Sequence, residues 1–298
     1  MKHPGNTSLF AALLLLVPLQ TSLARAGDEL EEQLKAEYVG KVLTFRHFYK
    51  GDHLAFQADG SLIGLGEVGP WTLDSQVSIN SVEVRDRALQ IHGRRVWLVF
   101  GSKTKPLFDA GTKPYRDVMD ALPPSNAADR EKWENSLRAK QEVDIEIALA
   151  SERPGANEAS AAMDAVFLAS AEDICDFVPD FWRDYFDQIE GRPRMVRRPR
   201  EPIYSARPGE VSPPHATYTP EPTFSEEARL TKYQGPMVVA LVANSSGTVE
   251  DVQIVSPLGM GLDERAIASV STWKFDPAMK NGKPVAVRLE VEVEFHLY

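Results

Sequence analysis

From Val287 to Leu297 apolar and polar residues trade places at every step. Leu289, Val291, Val293, Phe295 and Leu297 fall on one face, and Glu290, Glu292, Glu294 and His296 on the other. A period of two predicts a strand with one face on a core and the other in water. Upstream, Leu262, Ala266, Ile267, Val270 and Trp273 repeat at helical spacing, predicting a helix over 262–272. Strands are predicted over 237–243 and 248–255, flanking the turn Asn244–Gly247. Ser225 reads as an N-cap with Glu226 and Glu227 in the first turn, and Gly235 as the stop of that helix. Asn281-Gly282 is a turn signal before the last strand.

The first half has shorter strand patterns. A helix is expected over 28–37, then strands around Val42–Phe48, Leu54–Gln57, Val77–Val84, Leu89–Ile91 and Val96–Phe100. Asp59-Gly60 reads as a turn toward Leu62-Ile63, and His92-Gly93-Arg94 as another turn. Residues 114–140 read as polar and helical. Val143, Ile145, Ile147 and Leu149 alternate as a returning strand. Residues 157–190 read as helices broken near Pro179, with Phe177, Phe181, Trp182, Tyr185 and Phe186 capping the sheet. Between Arg192 and Pro222 stand eight prolines in 31 residues. Proline gives no ladder donor, so an extended linker of at most roughly 90–100 Å is expected.

The N-terminus adds a compartment. Lys2, the apolar stretch Leu9–Leu19 and Ala24-Arg25-Ala26 before Gly27 have the order of a secretion signal. Eleven apolar residues fall short of the roughly 20 that span a bilayer. An uncleaved inner-membrane anchor is the alternative, since no charge stands between Asn6 and Ala24. Removing residues 1–26, with Lys2 and Arg25, takes the net charge from −10 to about −12. Such acidity argues against nucleic acid as a partner. Cys175 is the single cysteine, which excludes an internal disulfide and a multi-cysteine metal site.

Candidate chemistry is sparse. Ser102-Lys103-Thr104-Lys105 fits S-x-x-K without companion motifs, and a charged loop accounts for it. His47 and His53 can meet across a turn but lack a third ligand. The acids Glu172, Asp173, Asp176, Asp180, Asp184 and Asp187 lack calcium-loop spacing and read as a solvated face. Arg192, Arg194, Arg197, Arg198 and Arg200 read as a charged start to the linker. No catalytic residue, metal ligand or cofactor site is expected, and the chain is read as no enzyme.

One combination is specific. Val238–Val242, Asn244–Gly247, Thr248–Val252, Ser256, Leu258–Asp263, Trp273–Ala278 and Asn281–Val285 follow one another in an order that resembles the C-terminal domain of the TonB energy-transducer family. The resemblance implies a three-stranded antiparallel sheet with helices, and a binding role in which a partner adds a strand to the edge of the last strand. By that resemblance the contact strand is about Val287 to Phe295, presenting Val287, Leu289, Val291, Val293 and Phe295. The implied partner is an outer-membrane TonB-dependent receptor or another periplasmic protein, with inner-membrane motor proteins added if the leader is uncleaved. The chain departs from the well-known transducers in its cleavable-looking leader, its short spacer and its extra β-rich unit. It also has Pro220-Glu221-Pro222-Thr223-Phe224-Ser225 where those transducers carry a P-x-Y-P-like stretch.

The expected architecture is α+β. It comprises a signal peptide over 1–26, an antiparallel β-rich sheet or small barrel over 27–155, and a helical extension over 156–191. A Pro/Arg-rich linker over 192–221 and a TonB-like unit over 222–298 complete it. The expected function is periplasmic partner binding in TonB-dependent transport. The alternative is a soluble scaffold whose first unit holds a ligand or cell-wall component.

Overall fold

Two sheets form because two stretches of period-two sequence are long enough to bury a face each. A computed structural model describes residues 20–100, 115–121, 126–168, 177–189, 191, 201–207 and 209–297. The first half contains α1 (Gln20–Tyr38), β1 (Val42–Thr44), β2 (His53–Phe56), α2 (Trp71–Asp74), β3 (Gln76–Arg85), β4 (Ala88–Arg95) and β5 (Leu98–Phe100). It continues with β6 (Tyr115–Asp117), α3 (Val118–Ala121), α4 (Ala127–Gln141), β7 (Glu142–Ala148), α5 (Ala156–Val166) and α6 (Asp180–Ile189). The second half contains β8 (Ile203–Tyr204), β9 (His215–Tyr218), α7 (Glu226–Thr231), β10 (Gly235–Ala243) and β11 (Val249–Ser256). It ends with α8 (Leu262–Val270), β12 (Lys274–Asp276), β13 (Ala278–Lys280) and β14 (Lys283–Phe295).

The first sheet has the order β1-β3-β4-β7-β2. It is open rather than a barrel, and it is mixed: β2 runs parallel to β7, while the other neighbours are antiparallel. The parallel pair departs from the all-antiparallel expectation, and the long connection between β2 and β7 permits it. In β7, Val143, Ile145 and Ile147 are buried as their alternation predicts. Asp86 and Arg87, both at positive φ, turn β3 into β4. His92-Gly93-Arg94 is not a turn; it lies inside β4. Gly93 stands beside a register shift at Ile79/Ser81, where a Cβ would lie 2.6 Å from Val77 Cγ2. The glycine permits close approach of two strands. Tyr115–Asp117 pairs with β5 instead of joining a helix. The first helix extends well beyond the expected 28–37. Leu30, Leu34 and Tyr38, one turn apart, bury its stripe, and the helix packs on β3.

The second sheet has the order β11-β10-β14-β13, with β8 added in parallel on β14. The expected three strands form its centre, and two short strands enlarge it. The proline-rich segment supplies β8 and also β9, which pairs with β12. Helix α7 begins as expected, with the Ser225 side chain accepting from Ala228 N. It ends at Lys232, which is left-handed, while Gly235 opens β10 instead of stopping the helix. Leu262, Ala266 and Val270 line the buried stripe of α8.

The two sheets share one hydrophobic core. At their junction Trp182 and Phe186 of α6 meet Trp71 of α2 and Phe100 of β5. Ring centroids lie 5.1 Å apart for Trp71–Trp182 and 5.4 Å for Phe100–Trp182. Helix α6 also packs along β11, so the aromatic residues cap both units. Among the described residues no helix is long and apolar enough to cross a membrane.

Candidate partner-binding edge

The site begins with the alternation in β14. Val287, Val293 and Phe295 are buried, Leu289 and Val291 are half-buried, and Glu290, Glu292, Glu294 and His296 are exposed. The named apolar side chains therefore point inward. What β14 offers outward is its backbone edge and the acidic row on the opposite face. Along one edge β14 pairs with β10 from Gly235↔Phe295 to Ala243↔Val287. Along the other, β13 takes Lys283–Val285 and β8 takes Ala286 and Val287. Beyond Val287 the ladder of β14, among the described residues, is with β10 alone. A strand edge of this kind is a template for another chain.

The glycine-rich stretch Leu258–Gly261 acts at the opposite side of the unit. It lies as a short bridge on β5: Phe100 N donates to Leu258 O, and Met260 N donates to Leu98 O. Gly259 has φ +97, and a Cβ on it would lie 2.4 Å from Leu98 O. Asp263, fully buried, holds this loop by accepting from Leu258 N at 2.8 Å and Gly259 N at 2.6 Å. Tyr233 Oη donates to Leu258 O, and Thr72 Oγ1 accepts from Gly261 N. The loop thus fastens the C-terminal unit to the first.

Glu264 follows Asp263 at the start of α8. Part of the residue meets solvent, but its Oε2 is buried without a hydrogen-bond partner. Its Oε1 accepts from Trp182 Nε1 at 3.2 Å. Burial, and then the neighbouring charge of Asp263, push the Glu264 carboxyl up to about 8. Burial also raises Asp263, against the two backbone donors that favour its charged form. Two adjacent acids inside one junction leave no sequence signal, because exposed acids are common at helix starts.

Other candidates fall apart or lie elsewhere. His53 faces not His47 but Asp144, which also accepts from His92, at 3.3 and 2.8 Å. These three line a cleft of about 820 Å³ that reaches Glu226 and Arg229 of α7. Among the described residues no group of three metal-ligating side chains is poised for an ion. Asp187, expected on a solvated face, is buried on α6. Ser102–Lys105, Cys175, Glu172, Asp173, Asp176 and the arginines of 192–200 lie outside the described residues, as does the leader to residue 19.

Comparison with known proteins points to the same part of the chain. Residues 220–297 match the family model described as Gram-negative bacterial TonB protein C-terminal. Protein TonB of Vibrio cholerae serotype O1 is 28% identical over 78 residues, covering 26% of this chain and 32% of that protein. The match therefore spans about a third of the length of the curated relative. The solution NMR structure of the Pseudomonas aeruginosa TonB CTD is also similar, at 18% identity and a TM-score of 0.26. That likeness covers 32% of this chain and 94% of that one. Residues 220–297 are a TonB C-terminal domain segment.

Proposed function

We propose that this chain is a non-enzymatic envelope protein of TonB-dependent transport whose C-terminal segment binds an outer-membrane receptor, or a related partner, by strand addition to β14. The observation that carries the reading is the TonB C-terminal match on the segment whose last strand, among the described residues, has one edge without a strand beyond Val287. The contact strand is about Val287 to Phe295, with Val287 itself already paired to Tyr204 on that edge. The apolar side chains Val287, Leu289, Val291, Val293 and Phe295 hold it on the core, and its outward backbone groups supply affinity. Residues 1–26 are read as a cleaved secretion signal, which places the mature chain in the periplasm. Within that transport the chain acts either as a transducer or as a soluble accessory, and an uncleaved leader would anchor it to the inner membrane.

The test is capture of receptors from solubilised outer membrane by the full-length mature chain. Val291→Pro removes a backbone donor in the middle of the edge strand, and its folding is checked by circular dichroism. A folded V291P protein should lose at least about tenfold in capture. Undiminished capture removes strand addition at this edge. The intact mass of the protein recovered from cells checks the leader: a chain beginning at Gly27 in the soluble fraction is expected.

A further inference from the structure

The edge on which a partner strand would lie is already occupied at one end by the chain itself. Ile203 and Tyr204 pair in parallel with Ala286 and Val287. The strand they form is short for identifiable reasons. Pro202 precedes it and has no N–H to extend a ladder. After it, Arg207 O accepts from Glu210 N and Val211 N in a tight turn that takes the chain away.

Both flanks are tied down. The Glu201 carboxylate accepts from Ser245 N at 3.0 Å, in the turn between β10 and β11. Downstream, Ser212 N donates to Met279 O at 2.9 Å, and Ser212 Oγ accepts from Met279 N at 3.0 Å. Lys280 Nζ sits 4.2 Å above the Tyr204 ring. A segment fixed on both sides and paired over two residues is built to stay, not to grow.

We infer that β8 is a stop: it confines strand addition on β14 to the stretch from Arg288 to Phe295 and so admits an extended partner segment of about eight residues. This inference rests on the strand-addition reading. The chemistry of the occupant follows from the exposed face of β14. Glu290 and Glu294 stand on that face with Glu292, which is already engaged, while Arg288 is tied to Asp251 at 2.8 Å. An added strand with lysine or arginine at alternate positions places cations beside Glu290 and Glu294. Its remaining side chains then lie on the apolar side, beside Leu289 and Val291. Opposite charges across neighbouring strands are worth about 0.2–1 kcal/mol each, or roughly 1.4- to 5-fold in affinity.

The experiment uses the full-length mature chain and synthetic peptides of alternating lysine and valine, eight or ten residues long. An eight-residue glutamate–valine peptide serves as the charge control. Binding is read by fluorescence anisotropy and the contact by amide hydrogen exchange. The basic octamer should bind at least about fivefold tighter than the acidic one. It should slow exchange in β14 and leave Ile203 and Tyr204 unchanged. The ten-residue peptide should gain less than about twofold on the wild-type chain. It should gain roughly threefold or more on Tyr204→Pro, in which Ala286 and Val287 are released. Glu201→Ala, which loosens β8 without a proline, should show the same trend.

Faster exchange at Ile203 and Tyr204 on peptide binding, with a gain for the longer peptide on wild type, overturns the stop: β8 is then displaced. Equal affinity for the two octamers overturns the charge preference. If no peptide slows exchange in β14, strand addition itself fails, which is a separate result from either.

Discussion

Asp263 and Glu264 are adjacent in sequence and differ in what they do. Asp263 is satisfied by two backbone donors, whereas Glu264 accepts from Trp182 and keeps one buried oxygen outside hydrogen-bond geometry. A carboxyl whose folded pKa lies above its unfolded value binds its proton more tightly when folded. Stability from this source is therefore full below the usual carboxylate range and falls as pH rises toward about 8 for Glu264. Asp74 adds to the same slope: burial raises it to about 6 although Arg95 Nη1 lies 3.2 Å away. Urea unfolding should thus give a lower midpoint at pH 8 than at pH 5.5. Glu264→Gln keeps an acceptor for Trp182 and removes the charge, so it should flatten that dependence. At pH 8 it should raise stability by on the order of 1 to 3 kcal/mol. Gly259→Ala tests the loop Asp263 holds. Its positive φ and the 2.4 Å approach to Leu98 O should together cost about 2–4 kcal/mol, read as a lower melting temperature. Little of this was legible beforehand. Leu258–Asp263 stood out only as part of the family resemblance, and nothing in the sequence said that it lies against residues 98–100.

At the scale of elements, legibility followed the length and regularity of the pattern. Strands β10, β11 and β14, together with α8, carry long periodic runs, and they stand about where the periodicity placed them. Strands β8 and β9 have two and four residues between prolines, too few to show a period. Their pairing is decided by β14 and β12, which lie 70 or more residues away in the case of β8. Gly93 misled in the other direction, since a glycine inside a strand and a glycine in a turn look alike in one sequence. For the edge itself, the inward row of β14 was readable from its alternation. The occupation of Ala286 and Val287 by β8 was not. Helix α6 carries the aromatic packing across the junction. Trp182 is fully buried against Trp71 and Phe100, so Trp182→Ala should cost about 3–5 kcal/mol in denaturant unfolding.

For the whole molecule, composition suggested two units joined by an extended linker, and the described residues share a continuous core. The reason is chemical. Leu258, Met260 and Tyr233 of the C-terminal unit and Trp71, Leu98 and Phe100 of the first bury one another. A chain built this way should melt in one cooperative transition by calorimetry, not two. The fragment 222–298 alone should melt lower than the same residues within the full chain, because its junction face is then in water.

The two ends of that C-terminal unit are not equally strong under load. A pull along β14 is spread over nine register pairs with β10, all resisting together in shear. Among the described residues the same pull reaches the first unit through separate contacts: the bridge at Gly259 with its two backbone hydrogen bonds, the Thr72–Gly261 and Trp182–Glu264 hydrogen bonds, and the packing of α6. Drawn by a partner strand, the molecule should part at these junction contacts, broken one after another, while the β10–β14 ladder holds, so the C-terminal unit would be carried away from its base still folded.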